Sequence, residues 1–148
     1  MPHTAFAVAI QALLKACIDG KPQHELVLPV GATPQYLVEF GFPALSMVIT
    51  GRVVDKAHFD HGITKGLLER LPAVVANPQA LYISTTVPNG AVVATFELKG
   101  PEVIVIPVHP DRPFGRAARY NAIASIYAKP RRILLEWDAK GLRKWAQK

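Results

Sequence analysis

The sequence predicts an α+β domain in which N-terminal helices pack on an antiparallel sheet of four or more strands. Three observations carry this. In the first half, apolar residues recur at helical spacing and are punctuated by Gly and Pro. After Asn77-Pro78 the runs turn to Val, Ile and Thr. Those runs are joined by Pro88-Asn89-Gly90 and Lys99-Gly100-Pro101, turn signals that make an antiparallel meander. With 148 residues, half of them hydrophobic and 19% charged, the chain suits one domain with one core.

Taken in order, residues 4–18 read as a buried helix, with Thr4 as its cap and Gly20 as its left-handed stop. The apolar run 5–14 is shorter than a membrane span and lacks a basic flank, so it is a core helix and not a signal peptide. Residues 25–30 form a short strand. Thr33-Pro34 starts a second helix, the Thr as cap and the Pro at the first helical position. That helix runs through Tyr36, Leu37 and Phe40 to Gly41. Residues 45–50 form a strand that Gly51 breaks. In 55–62, a helix puts Val54, His58 and His61 on one face, whereas a strand pairs Lys56 with His58 and turns His61 away. Residues 64–76 are helical, with Leu67, Leu68, Leu71 and Val74 or Val75 inward and Pro72 beginning or kinking the last part. Residues 80–86, 91–98 and 102–108 are the meander, 109–115 a Pro-rich loop and 119–129 the last strand. Residues 130–148 are helical around Trp137 and Trp145, broken at Gly141.

The stretch 119–129 carries the chemistry. As a strand it shows Arg119, Asn121, Ile123, Ser125, Tyr127 and Lys129 on one face. Tyr120, Ala122, Ala124, Ile126 and Ala128 fall on the other. A guanidinium, an amide, two hydroxyls and an ammonium in a row, with no carboxylate among them, suit an anion such as phosphate. The whole chain agrees in sign. It has 17 Lys and Arg against 11 Asp and Glu, a net charge of +6, which favours polyanionic partners, nucleic acid first. Its one cysteine, Cys17, excludes an internal disulfide and a cysteine-based metal site, and fits a reducing compartment.

His61-Gly62-Ile63-Thr64, then Leu68-Glu69-Arg70-Leu71-Pro72, then Asn77-Pro78, a meander, and Asn121-x-x-x-Ser125-x-Tyr127 follow one another in the chain. Over residues 53–137 this order resembles the phage barnase–EndoU–colicin–RelE-like nuclease domains. These include the C-terminal domains of phage MuF-type proteins and related polymorphic toxins. The resemblance implies a small, metal-independent ribonuclease with no cofactor. It also implies a histidine before the first of these helices, His58 or His61, and a hydroxyl with an aromatic on the last strand, Ser125 and Tyr127.

RNA cleavage without a metal needs a base for the ribose 2′-OH, donors for the phosphate and an acid for the leaving 5′-oxygen. His61, and after it His58, suit proton transfer. Lys56, Arg119, Ser125 and Tyr127 suit the phosphate. Asn121, Lys129, Arg116, Arg131 and Arg132 are expected to hold RNA. His58 and His61 with His109 or Asp60 are too loosely spaced for a metal site, and His109 reads as structural or rim. His3 and His24 carry no assignment. The expected partners are RNA, tRNA among the candidate targets, and an acidic immunity protein; the expected place of action is the cytoplasm of a target cell. Two alternatives stay open: a non-catalytic RNA- or DNA-binding module, and an inactive phage head-associated interaction domain.

Overall fold

Phe6, Ile10, Leu13 and Leu14 make a stripe along the first helix, α1 (Thr4–Ile18), and all four are buried. The computed structural model describes residues 4–96 and 102–146. After α1 come β1 (Val27–Ala32), α2 (Gln35–Phe40), β2 (Ser46–Thr50) and α3 (Gly51–Asp55). A π-helical turn (Lys56–Asp60), α4 (Lys65–Glu69) and α5 (Leu71–Ala76) follow. Then come β3 (Ala80–Ile83), β4 (Ala91–Thr95), β5 (Glu102–Phe114), β6 (Ala118–Ile123), β7 (Tyr127–Pro130), α6 (Arg132–Ala139) and β8 (Arg143–Ala146). The fold is α+β, as the sequence predicts. Residues 97 and 98, the end of the expected strand 91–98, and the expected turn Lys99-Gly100-Pro101 lie outside the described residues.

The strands form one sheet in the order β1-β2-β6-β5-β4-β3-β8, with β7 beside β5. All pairs are antiparallel except β2 with β6, where Met47 lies beside Asn121 and Val48 beside Ala122. Both faces are covered. On one, Leu67, Leu68 and Leu71 from the helices meet Ile104, Ile106, Val108, Ile123 and Ile126. On the other, Leu134 and Trp137 of α6 cover Ala80, Tyr82, Ala94, Val103 and Val105. This explains the unbroken apolar run Val103-Ile104-Val105-Ile106: a strand buried on both faces has no reason to alternate. Each such side chain contributes about 1.5–3 kcal/mol when removed from water.

The stretch 119–129 is not one even strand. Val108 pairs Ile123 and Val105 pairs Tyr127, so Ile106 and Pro107 stand opposite Ala124, Ser125 and Ile126. The extra residue is a β-bulge. It sits at Pro107, which has no N–H for the ladder; the Pro107 carbonyl accepts from the Ala124 amide at 2.9 Å. One extra residue reverses the faces. Before it, Asn121 and Ile123 point into the helix-covered core; after it, Ile126 does, and Tyr127 turns to the opposite core.

Three other expectations are corrected. Residues 109–114 continue β5 with an irregularity between His109 and Arg112, instead of forming a loop. Pro110 and Pro113 are tolerated because β4 stops pairing at Val108, which leaves one edge open. Thr33 does not cap α2; its hydroxyl donates to the Leu45 carbonyl, and Pro34 precedes the first helical residue. Residues 64–76 are helical as expected, with Thr64 accepting from Leu67 N at the start of α4 and Pro72 in the first turn of α5, where it begins the last part. The C-terminal stretch holds one helix, and after Gly141 (φ 73°) β8 joins the sheet beside β3.

Candidate active site

Strands β2 and β6 run parallel and then part. At Thr50 the chain leaves the sheet, its hydroxyl capping α3 by accepting from Val53 N. A Cβ on Gly51 would lie 2.0 Å from the Gln23 carbonyl oxygen, so only glycine fits this exit. Past the bulge, β7 continues with β5 on one side and, among the described residues, no strand on the other. The π-turn leads into His61, the residue that reaches that side. Its wider winding bonds the His61 amide to the Lys56 carbonyl, five residues back, at 2.9 Å. His61 follows it, before Gly62 at φ 70°.

The His61 side chain reaches the bulge. Nδ1 is 2.9 Å from the Ile126 carbonyl oxygen, and a carbonyl only accepts, so Nδ1 carries the proton. Nε2 has no hydrogen-bond partner among the described residues. The ring borders a cleft of about 420 Å³ lined by His61, Ser125, Tyr127, Ala128 and Lys129. His61 meets the Tyr127 ring edge-on at 6.0 Å, and the Lys129 ammonium lies 5.4 Å from the centre of that ring. Burial pushes the Tyr127 phenol above its ordinary pKa, so it stays protonated at neutral pH. An imidazole, a hydroxyl, a protonated phenol and an ammonium thus line one cleft.

On the other side of His61 lies a hollow of about 280 Å³, bordered also by Gly62, Ile63, Thr64, Leu67, Glu102, Ile104 and Ala128. Glu102 is the functional candidate that sequence reasoning missed. It sits opposite Pro130 at the start of β5, and no motif flanks it; the only signal was its place directly after Lys99-Gly100-Pro101 in the sequence.

Other expected site residues lie elsewhere. His58 is turned inward, with Nδ1 donating to the Ile63 carbonyl at 2.7 Å and its ring against Phe59. The π-turn separates it from His61. Lys56 is exposed on that turn and borders neither hollow. Arg119 is at the far end of β6, roughly 20 Å of strand from Ser125, and donates to both the carboxylate and the carbonyl of Asp111. Asn121 is fully buried, which removes it from any RNA contact. Its amide nitrogen donates to Thr33 Oγ1 (2.8 Å) and to the Pro43 carbonyl (2.9 Å), and its oxygen accepts from Asp111 N (3.0 Å). Arg116 is exposed in the β5–β6 turn, while Arg131 and Arg132 follow β7. His109 accepts from Arg112; burial first, and Arg112 second, lower its pKa. Among the described residues no three His, Cys, Asp or Glu side chains come together to hold one ion.

No curated protein and no solved structure matches the chain. A family model described as the phage MuF C-terminal domain matches residues 52–148, which take in the π-turn, the bulge and every residue bordering the His61 cleft. The chain therefore belongs to the phage MuF C-terminal domain family.

Proposed function

We propose that this chain is an endoribonuclease that cuts RNA by transesterification at the His61 cleft. The observation that supports this is the fixed imidazole: Nδ1 is tied to Ile126, Nε2 has no partner among the described residues, and the ring lines one cleft with Ser125, Tyr127 and Lys129. His61 Nε2 takes the proton of a ribose 2′-OH, and that oxygen attacks the adjacent phosphorus. Ser125 donates to a nonbridging oxygen, and Lys129 balances the charge growing on the phosphorane. The Tyr127 phenol gives its proton to the departing 5′-oxygen. The P–O5′ bond breaks, leaving a 2′,3′-cyclic phosphate and a 5′-OH. DNA lacks the attacking hydroxyl and is not a substrate. A basic nuclease that is lethal to its producer calls for an acidic inhibitor, an immunity protein seated over His61 and Lys129.

The test is to incubate the protein with total RNA in excess EDTA and to map the fragment ends. Cyclic phosphates and 5′-hydroxyls are expected. Fragments with 5′-phosphates, equal cutting of a fully 2′-deoxy substrate, or RNA binding without any cleavage would overturn the proposal.

A further inference from the structure

We propose that the hollow between α6 and the β3–β8 edge is a subsite for one nucleotide of a single-stranded RNA that enters the His61 cleft; the inference rests on that cleft being an RNA site. The hollow has a volume of about 450 Å³, within the range of nucleoside-sized pockets, and is lined by Tyr82, Phe96, Arg131, Arg132, Leu135 and Arg143 among others. Its walls are apolar and uncovered: Phe96 is 42% exposed and Leu135 70%. Its rim is cationic. The Arg131 guanidinium lies 4.3 Å from the centre of the Phe96 ring, a flat platform of the kind on which bases stack. Arg132 makes no hydrogen bond or ion pair with any described residue. The one carboxylate in the lining, Asp138, faces Arg143 at 3.5 Å, and its Oδ1 is buried.

Continuity selects the occupant. Tyr127 packs on the same core as Tyr82 and Leu134, so one wall of the His61 cleft lies on the face of the sheet that carries this hollow. Lys129 and Arg131 are two positions apart, about 7 Å along the chain. A strand held at Lys129 therefore meets Arg131 and Arg132 next. A nucleotide offers what the hollow accepts, a flat apolar ring joined to a phosphate. Only a single strand can offer it, because a duplex keeps its base faces stacked.

The test uses the full chain carrying His61→Ala, so that RNA stays intact. Fluorescein-labelled octauridylate and octaadenylate are titrated by anisotropy over a range of salt, with an eight-base-pair RNA duplex as control. Adding Phe96→Ala is expected to weaken binding of the single strands about tenfold and to leave the duplex unchanged. Adding Arg132→Gln is expected to weaken binding and to lower the salt slope by about one. Should Phe96→Ala fail to fold, Leu135→Ser in the same wall replaces it. Unchanged affinity in both variants, the result if the hollow seats an acidic protein instead, overturns the subsite. So does an equal loss for duplex and single strand. Weakened binding in the variants together with no cleavage by the unmodified chain keeps the subsite and removes the ribonuclease reading.

Discussion

The bond from His61 Nδ1 to the Ile126 carbonyl leaves a single ring nitrogen for proton transfer. His61→Ala is therefore expected to cut the rate of RNA cleavage by about 10²–10⁴-fold. The side chain is exposed, so the thermal melting curve should not move. The display of His61 at a turn was legible in the sequence because it precedes a glycine. Asn121 was not. A polar residue in a strand reads as surface, and only tertiary structure reveals an amide clamped by Thr33, Pro43 and Asp111. Tyrosines give a second prediction. Burial raises the pKa of Tyr36 far above the ordinary 10.0, and it raises Tyr82 and Tyr127 as well. Above that ordinary value an unfolded phenol releases its proton while the folded one keeps it. The unfolded state then binds fewer protons, so stability is full below pH 10 and falls as pH rises beyond it. Urea midpoints measured from pH 8 to 11.5 should decline above 10. Tyr36→Phe should flatten that decline, at a cost of about 1 kcal/mol at neutral pH for the lost bond to the Val75 carbonyl.

Two irregular elements build the cleft, and neither has a local signature. The bulge needs Pro107 on one strand and an extra residue on another, a relation between positions far apart in the chain. From residues 119–129 alone, even alternation is the natural reading, and it places Asn121 beside Tyr127 on one face. The π-turn is equally hidden, since its residues suit an ordinary helix, yet it is what parts His58 from His61. Helix α1 and the meander were legible because their periodicity is long and their punctuation clear. Strand β8 was not, since four residues are too few for a pattern. The exit from β2 is the rigid point of this assembly. Gly51→Ala would bring a Cβ against the backbone oxygen of Gln23, which cannot rotate away. We expect a loss of about 3 kcal/mol in urea unfolding, at the upper end of the range for overpacking. A variant as stable as the parent would show that the loop at Gln23 yields.

Across the whole molecule, helices cover one face of the sheet and α6 covers the other. The sequence predicted the first layer; the second was hidden because α6 is short and only its Leu134 is buried. The excess of 17 basic over 11 acidic residues pointed to a polyanion without saying where it binds, and folding gathers Lys129, Arg131 and Arg132 along one strand end. The parallel pairing of β2 with β6 has a consequence for what counts as a unit. The family match begins at residue 52, yet β6 takes its neighbour from residues 46–50 and Asn121 takes two of its partners from Thr33 and Pro43. The inherited module and the folding unit therefore have different boundaries. A fragment of residues 52–148 would bare one edge of β6, orphan a buried amide and uncover the apolar surface beneath α1. We expect it to show no cooperative urea transition and no native near-ultraviolet dichroism. A separately made chain of residues 1–51 should restore both. A cooperative transition in the fragment alone would place the fold's foundation entirely within the inherited module. If none is seen, the matched residues of this chain cannot stand without the two strands and two helices that precede them.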